Sequence, residues 1–321
     1  MSAQPAPLQP ESSQPEPPQP VPPQSVSLLT PRIFFPFVLI VLIWGSTWIV
    51  IKGQLGDVPT SWSVAYRFAI ASAAMFAYAA VRGERLFPGW KAVGFAGLVG
   101  LGQFVFNFNF VYRAEAYLTS GLVAVLFALL MVPNSIMGRI FLKMRLERRF
   151  LIGASVAIVG VGLMLAQEYR AAELGPQAVL LGTALTMAGM MSASTANVMQ
   201  GMEFARTQSM VMMIAWAAGL GALANAVFAW ATAGAPVIDM DAAYIGGLFY
   251  LGVVGSAISF PIYFNIIREV GPSQASWTSV MIPMIAMIIS TVVEGYHWAN
   301  LSIMGAVLAL AGLVIAVARK S

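Results

Sequence analysis

Amide and aromatic side chains recur inside the long apolar segments of this sequence. Gln103 and Asn107 are four residues apart and would share one face of a helix, and Asn134 directly follows Pro133. Amides both donate and accept hydrogen bonds, and an indole face can hold an ammonium group. Such residues could therefore coordinate a zwitterionic or neutral polar solute. The predicted solute-binding residues are Trp44, Trp48, Gln103, Asn107, Asn134, Asn197, Tyr263 and Trp277.

A structural role is the alternative for each of these side chains. Polar groups within membrane helices also bond to neighbouring helices, and each such bond contributes on average about 0.6 kcal/mol. For Trp44 and Trp48, the alternatives to lining a cavity are helix packing and anchoring at the membrane interface.

Charged residues and prolines in or beside the same segments are assigned structural or gating roles. Arg67 is expected to pair inside the protein with a carboxylate, a carbonyl or water, because an unpaired central arginine costs at least about 2.5 kcal/mol. We expect the Lys52 ammonium to reach interfacial water, and Glu147 and Glu294 to be hydrated charges at helix ends. The set is Lys52, Arg67, Pro133, Pro283, Glu147 and Glu294.

Several kinds of chemistry are excluded by residues that the sequence lacks. It has no cysteine and one histidine, His297, so thiolate chemistry, disulfides and multi-histidine metal sites are excluded, and we expect neither metal nor cofactor. No acidic residue lies near the middle of a predicted span, which argues against an intramembrane enzyme and against a buried proton relay. Facilitated diffusion or solute exchange fits better, with a relay by Glu294 and His297 as the alternative.

Lipid is the solvent that this composition requires. Hydrophobic residues make up 59% of the chain and charged residues 9%, whereas soluble domains have roughly 45–50% and about 25%. A helix needs about 20 apolar residues to cross the hydrocarbon core of a bilayer. Ten stretches satisfy this length, at 33–52, 60–82, 91–112, 118–141, 150–167, 176–199, 209–232, 242–266, 272–293 and 299–318.

Basic residues in the connections predict the orientation, because cytoplasmic loops carry an excess of lysine and arginine. With both termini in the cytoplasm, only Lys52, Arg113 and Arg170 fall outside. The sequence thus predicts a multi-pass protein of the cell (inner or plasma) membrane, surrounded by lipid, with no nucleic-acid partner. The predicted inside residues are Arg32, Arg82, Arg85, Lys91, Arg139, Lys143, Arg145, Arg148, Arg149, Arg206, Arg268, Arg319 and Lys320.

The two halves of the chain resemble each other. In each half a mid-span proline precedes a span-end glutamate, and the next span begins with Gly-Ala and has a second glycine seven residues on, Gly160 and Gly312. Five spans in each half place the second half upside down relative to the first, an arrangement typical of secondary carriers. We predict repeats at 31–170 and 171–321 after a tail at 1–30, which is Pro/Gln-rich and expected to be disordered. A solvated tether is favoured for the tail, with a weak partner that reads PxxP as the alternative.

Three segments resemble the EamA family of the drug/metabolite transporter superfamily. They are WGSTWIVIK at 44–52, GPSQASWTSVMIPMIAMI at 271–288 with Glu294, and GAVLALAGLVI at 305–315, and Arg67 matches an arginine of that family. The resemblance covers the chain from about residue 33 onward. It implies an all-α polytopic membrane protein with ten transmembrane helices in two inverted five-helix repeats. It also implies cytoplasmic termini, a central cavity and transport of small metabolites such as amino acids, often as export.

The expected function is therefore a secondary transporter that works by alternating access on an amino acid or a related solute. An organophosphate or nucleotide-sugar exchanger is the first alternative, although the sequence offers mainly Arg67, Lys52 and Arg139 as cavity cations. A non-transporting membrane receptor or scaffold, with the tail as its binding segment, is the second.

Overall fold

The structure of the chain is a computed structural model, and it describes residues 30–143, 146–171, 174–263, 265–266, 269 and 277–317. Most of the predicted tail and the motif residues 271–276 lie outside this range. So do four of the predicted cytoplasmic charges, Arg145, Arg268, Arg319 and Lys320. Orientation therefore stays a prediction, and the end with the connections that follow residues 52, 114, 171, 233 and 293 is termed the predicted outer end.

Ten helices follow one another in the described part of the chain, and a single helical turn at Glu203–Arg206 lies between the sixth and the seventh. Their apolar sequences have no interrupting charge near the middle apart from Arg67, which is why each can remain helical in lipid. The helices are α1 Pro31–Lys52, α2 Thr60–Val81, α3 Trp90–Ala114, α4 Ser120–Leu142, α5 Arg148–Ala171, α6 Pro176–Gln200, α7 Met210–Ala233, α8 Ala242–Tyr263, α9 Thr278–Val293 and α10 Asn300–Val317.

Nine of these helices, within the described residues, are long and apolar enough to cross a membrane. The remaining one, α9, has 16 described residues and begins at Thr278, next to residues outside the described range. The expected all-α polytopic fold is confirmed, and the expected ten spans correspond to nine spans and one shorter apolar helix. Most predicted limits lie within two or three residues of the observed ones, but α5 begins and ends beyond its predicted limits, at Arg148 and Ala171.

Helix packing shows the same relation between the two halves that the repeat predicts. Helix α3 packs on α6 and α7, and the corresponding helix α8 packs on α1 and α2. Helix α4 packs on α6, and α9 packs on α1. The pairs α2–α7, α4–α9 and α5–α10 join corresponding helices of the two halves. If each helix is replaced by its counterpart in the other half, every one of these contacts becomes another contact of the same set or remains the same contact. The fold is therefore a two-repeat structure.

Glycines bring α5 and α10 into backbone contact. A Cβ on Gly160 would lie 2.5 Å from the Gly305 carbonyl oxygen and 2.8 Å from the Ala309 Cα, and one on Gly153 would lie 2.5 Å from the Gly312 carbonyl oxygen. Membrane helices that approach this closely need small residues at the crossing. Gly153, Gly160, Gly305 and Gly312 therefore allow α5 and α10 to pack closely.

Two corresponding helices, α3 and α8, are widened to π-helical geometry near their centres. The π segments are Leu101–Phe106 and Tyr250–Ile258. A wide turn frees carbonyl groups from the regular ladder, and side chains of the neighbouring helix use them: Ser192 Oγ donates to the Gly102 carbonyl at 2.8 Å, and Trp44 Nε1 donates to the Gly255 carbonyl at 3.2 Å. The sequence did not predict these segments.

Candidate functional site

One group of buried polar side chains has its hydrogen bonds satisfied. Asn109 donates to Asn225 Oδ1 at 2.6 Å, and Asn225 donates in turn to the Phe104 and Gly221 carbonyls. Arg113 donates to Asn109 Oδ1 at 3.0 Å and to Ser61 Oγ at 3.1 Å. This network joins α2, α3 and α7, and because its members already bond to one another, we assign it a structural role.

Substituting Asn225 with alanine is expected to destabilise the protein. The change removes one of the two hydrogen bonds that the Asn109 amide donates and the side-chain bond to the Phe104 carbonyl, and a buried polar group that loses its partner costs about 1–3 kcal/mol. Thermal unfolding of the purified protein in detergent measures the loss. Thr232→Ala is the control, because Thr232 is exposed on the same helix and bonds only to its own turn. Equal unfolding temperatures for the two variants would contradict the structural role.

A second group on α3 has unsatisfied acceptors. Asn107 is 2% exposed, and its Oδ1 has no hydrogen-bond partner, while its amide nitrogen donates to the Gln103 carbonyl at 3.3 Å. The Gln103 Oε1 is also buried without a partner. Buried acceptors are nearly always satisfied in folded proteins, so these two oxygens are candidates for hydrogen bonds to a ligand or to water. The shared helix face of Gln103 and Asn107 stays a prediction, and the observed bond between them runs from the Asn107 side chain to the Gln103 main chain.

Arg67 is buried next to the same helix. It is 4% exposed, its guanidinium lies 4.5 Å from the ring centre of Phe108 and 5.2 Å from that of Phe68, and its Nε has no partner. Its one direct hydrogen bond goes to the Tyr112 hydroxyl at 3.5 Å. The guanidinium therefore lies against two aromatic rings, which attract a cation. Among the described residues no carboxylate forms an ion pair with it, so the carboxylate partner considered from the sequence is not observed.

The other predicted solute-binding residues lie in separate contacts. Trp44 packs on Tyr263 with ring centres 4.9 Å apart, and Trp277 belongs to the same apolar cluster. Trp48 packs on Phe127 at 5.5 Å. Elsewhere, Asn197 donates to Asn134 Oδ1 at 3.3 Å, which links α6 to α4. These residues are all half-buried. The structure therefore pairs predicted residues without joining them through direct contacts into one site.

Lys52 is not free to reach interfacial water as expected. Its ammonium donates to the main-chain carbonyls of Glu115 and Leu118, the latter at 3.1 Å, at the point where α3 ends. The carbonyl end of a helix carries partial negative charge, which a cation offsets. Lys52 thus holds the α3–α4 connection against α1.

Glu294 is likewise more than a hydrated helix-end charge. Its carboxylate accepts from the Ser120 amide, with both oxygens at 3.1 Å, and from the Ser120 hydroxyl. Ser120 begins α4, where unpaired amides favour an anion. Glu294 follows α9, so this contact, the Glu294–Ser120 clasp, joins the two halves at the predicted outer end. Glu147, its counterpart in the first half, is exposed as expected.

The two prolines have different local effects. In α4 the helix is interrupted at Leu129–Leu130, between Ala128 and Met131, just before Pro133. A proline ring displaces the carbonyl four residues earlier, here that of Leu129, which explains the position of the break. Pro283 is buried inside α9, which continues through it.

Sequence analysis missed Glu115 in the short connection after α3. It is 0% exposed, and neither carboxyl oxygen has a hydrogen-bond partner. Glu115 lies beyond the end of α3, so the expectation that no acidic residue lies near the middle of a span is unaffected, but this carboxyl group is nevertheless fully buried. The available signal was a single acidic residue in the otherwise apolar stretch from Ala114 to Leu118. Within the described part of the chain, no cluster of three or more residues could hold a metal ion.

Comparison with known proteins gives consistent matches along the chain. The model of the EamA-like transporter family matches residues 33–166 and again 180–318. Protein PagO of Salmonella typhimurium is 25% identical over 81% of this chain and 84% of its own. A "Probable amino-acid metabolite efflux pump" of the same organism is 24% identical over 86% of this chain and 92% of its own.

A solved crystal structure has the same fold. It superposes with a TM-score of 0.64 at 18% sequence identity and covers 88% of this chain and 96% of the other. The two family matches together span most of the chain and coincide with the two structural halves. The chain is an integral multi-pass membrane protein and belongs to the EamA-like transporter family.

Proposed function

We propose that this protein exports a small zwitterionic or neutral metabolite of the amino-acid class across the cell membrane by alternating access. Gln103, Asn107 and Arg67 form the centre of its solute site. The predicted repeats, 31–170 and 171–321, are the two bodies that move relative to each other. Transport rather than catalysis is the activity.

The unpaired groups on α2 and α3 are the observation that carries this proposal. Two buried amide oxygens and the Nε of a buried arginine lack partners, whereas the neighbouring network around Asn225 is satisfied. An ammonium group could donate to the amide oxygens of Gln103 and Asn107, and a carboxylate could accept from Arg67. A solute with both charges would satisfy all three side chains.

The direction and the solute class are supported by a relative's name. The Salmonella relative is described as an amino-acid metabolite efflux pump. The organophosphate alternative receives less support from the geometry, because the Lys52 ammonium is bonded to main-chain carbonyls and Arg139 is exposed. Of the three cations Arg67, Lys52 and Arg139, this leaves Arg67 as the buried one that could bind a phosphate.

Counterflow in proteoliposomes tests the proposal. Vesicles loaded with one unlabelled compound are diluted into the same labelled compound, and accumulation of label reports exchange by the protein. The compounds are amino acids, amines and sugar phosphates. Exchange of amino acids supports the proposal, exchange of sugar phosphates alone supports the organophosphate alternative, and no exchange of any compound supports a receptor or scaffold.

Asn107→Ala is expected to lower the exchange rate about tenfold or more, because one hydrogen bond to a charged group contributes about 1.5–3 kcal/mol. Folding should change little, since the amide oxygen has no partner among the described residues and the amide nitrogen loses only a 3.3 Å bond within its own helix. Thr232→Ala is again the control, with unchanged exchange expected. Full exchange activity in Asn107→Ala would remove Asn107 from the solute site.

A further inference from the structure

We propose that Glu115 is a proton-binding site that controls the predicted outer end of the transporter: the end is closed while Glu115 carries a proton and opens when Glu115 ionises. The inference concerns a residue outside the solute site. It rests on the proposed transport cycle in one respect, that the outer end opens and closes.

Burial is the first observation. Glu115 follows the last residue of α3, at the turn into α4, and it is among the largest side chains that are wholly buried. Neither of its carboxyl oxygens has a hydrogen-bond partner among the residues that the structure describes. An ionised carboxylate without partners is strongly disfavoured in such a place, whereas the neutral acid can be accommodated.

The charged groups that face Glu115 come from each neighbouring element. Lys52 on α1 and Arg67 on α2 favour the ionised form, and Glu294 after α9 disfavours it. Tyr112 on α3 also interacts with it. The Lys52 ammonium already bonds to the Glu115 and Leu118 main-chain carbonyls instead of the carboxyl group. Burial has the largest effect of all and raises the pKa of Glu115 well above its usual value.

The Glu294–Ser120 clasp connects this proton to the outer end. The clasp places the Glu294 carboxylate on the first residue of α4, five residues after Glu115. While the clasp is closed, two negative charges in this region would repel each other, so closure favours a neutral Glu115.

The sign of the pH response follows from the difference in the pKa of Glu115 between the closed and the open state. Opening brings water to Glu115 and lowers its pKa toward the ordinary value, so the closed state binds the proton more tightly than the open state. Acidic conditions on the outer side therefore favour closure, and raising the pH through the pKa of the buried carboxyl favours opening.

The variant Glu115→Gln distinguishes the effect of the proton from the effect of the side-chain shape. Glutamine has nearly the shape of a protonated glutamate and cannot ionise, and no hydrogen bond to the carboxyl oxygens is lost. The variant should favour the closed state of the predicted outer end at every pH. Glu147→Gln is the matched control, because Glu147 is an exposed glutamate in the other half.

Infrared spectroscopy tests the protonation state without reference to transport. The difference between wild-type and Glu115→Gln spectra at neutral pH is expected to show the carbonyl band of a protonated carboxylic acid. The corresponding difference for Glu147→Gln should show only carboxylate bands. Carboxylate bands for Glu115 would overturn the proposal.

Cysteine labelling tests the gate, since the chain contains no cysteine of its own. Val123→Cys places a thiol on α4 one turn beyond Ser120, where the native side chain is 0% exposed. Gly56→Cys provides an exposed reference on the α1–α2 connection, with open space around the new side chain. The ratio of their labelling rates with a membrane-impermeant maleimide removes the intrinsic pH dependence of thiol reactivity.

Raising the outer pH from about 6 to about 8.5 should increase this ratio at least about threefold when Glu115 is present, and leave it unchanged with Glu115→Gln. A ratio that does not respond to pH, or that responds equally in both, overturns the gate. Counterflow distinguishes this failure from failure of the proposed function: a protein that transports amino acids but lacks the labelling response is a transporter without the proton-controlled gate.

Discussion

Replacing Gly160 with leucine is expected to prevent α5 and α10 from packing. The first side-chain atom would already lie 2.5 Å from the Gly305 carbonyl oxygen and 2.8 Å from the Ala309 Cα, and main-chain atoms cannot move aside as a side chain can. Overpacking costs about 1–3 kcal/mol where side chains can adjust, so we expect at least about 3 kcal/mol here. Denaturant unfolding in detergent, with size-exclusion chromatography for aggregation, measures the effect.

Gly162→Leu is the control for this substitution. Gly162 lies on the same helix two residues away and has no atom within 4 Å of the position of a new Cβ. Because leucine favours helix over glycine by somewhat less than about 1 kcal/mol, this variant should unfold at the same denaturant concentration or a slightly higher one. Equal stability of both leucine variants would show that α5 and α10 do not cross at Gly160.

The second large effect is expected for Arg67→Met. It should lower amino-acid counterflow at least about tenfold, because a charged hydrogen bond to the solute is lost. The unfolding temperature should stay the same or rise, since the guanidinium has one hydrogen bond of 3.5 Å and a buried charge with few partners costs free energy. Lower counterflow together with an equal or higher unfolding temperature is expected of a residue that serves transport rather than folding.

Two further variants separate solute binding from packing. Arg67→Lys keeps the charge but loses the planar group that lies over Phe108, so intermediate counterflow is expected. Arg82→Met removes an exposed arginine from the end of the same helix and should change neither counterflow nor stability. If Arg67→Met instead unfolds at a much lower temperature, Arg67 has the structural role favoured from the sequence.

Much of the fold was predictable because the bilayer imposes length and polarity on each helix. The apolar runs located the helices, most of them to within a few residues, and the inverted relation of the halves followed from five spans in each. The repeated glycines of the fifth and tenth spans lie at the α5–α10 contact, because only a very small residue allows such an approach. Hydropathy contains no information about hydrogen-bond ladders, so the π segments of α3 and α8 could not be predicted.

The candidate site was less predictable because it depends on contacts between distant residues. Helical spacing placed Gln103 and Asn107 one turn apart, which needs only one helix, and a side-chain to main-chain hydrogen bond joins the two residues. By contrast, the bonds from Glu294 to Ser120 span 174 positions of sequence. Burial of Glu115 likewise depends on how α1, α2 and α9 surround a five-residue connection. No local pattern distinguishes such a glutamate from one exposed to water.

The π segment of α3 also determines the direction in which its last two turns face. One additional residue in a helical turn rotates everything beyond it by about 100°, since an α-helix has about 3.6 residues per turn. Asn109, Tyr112 and Arg113 all lie beyond Leu101–Phe106. Wound as an unbroken α-helix, the same sequence would aim these three side chains about a quarter-turn away from Asn225 and Arg67. The π segment therefore sets how the last two turns of α3 are rotated about the helix axis. Deleting one residue within this segment would restore a regular α-helix and turn those side chains away.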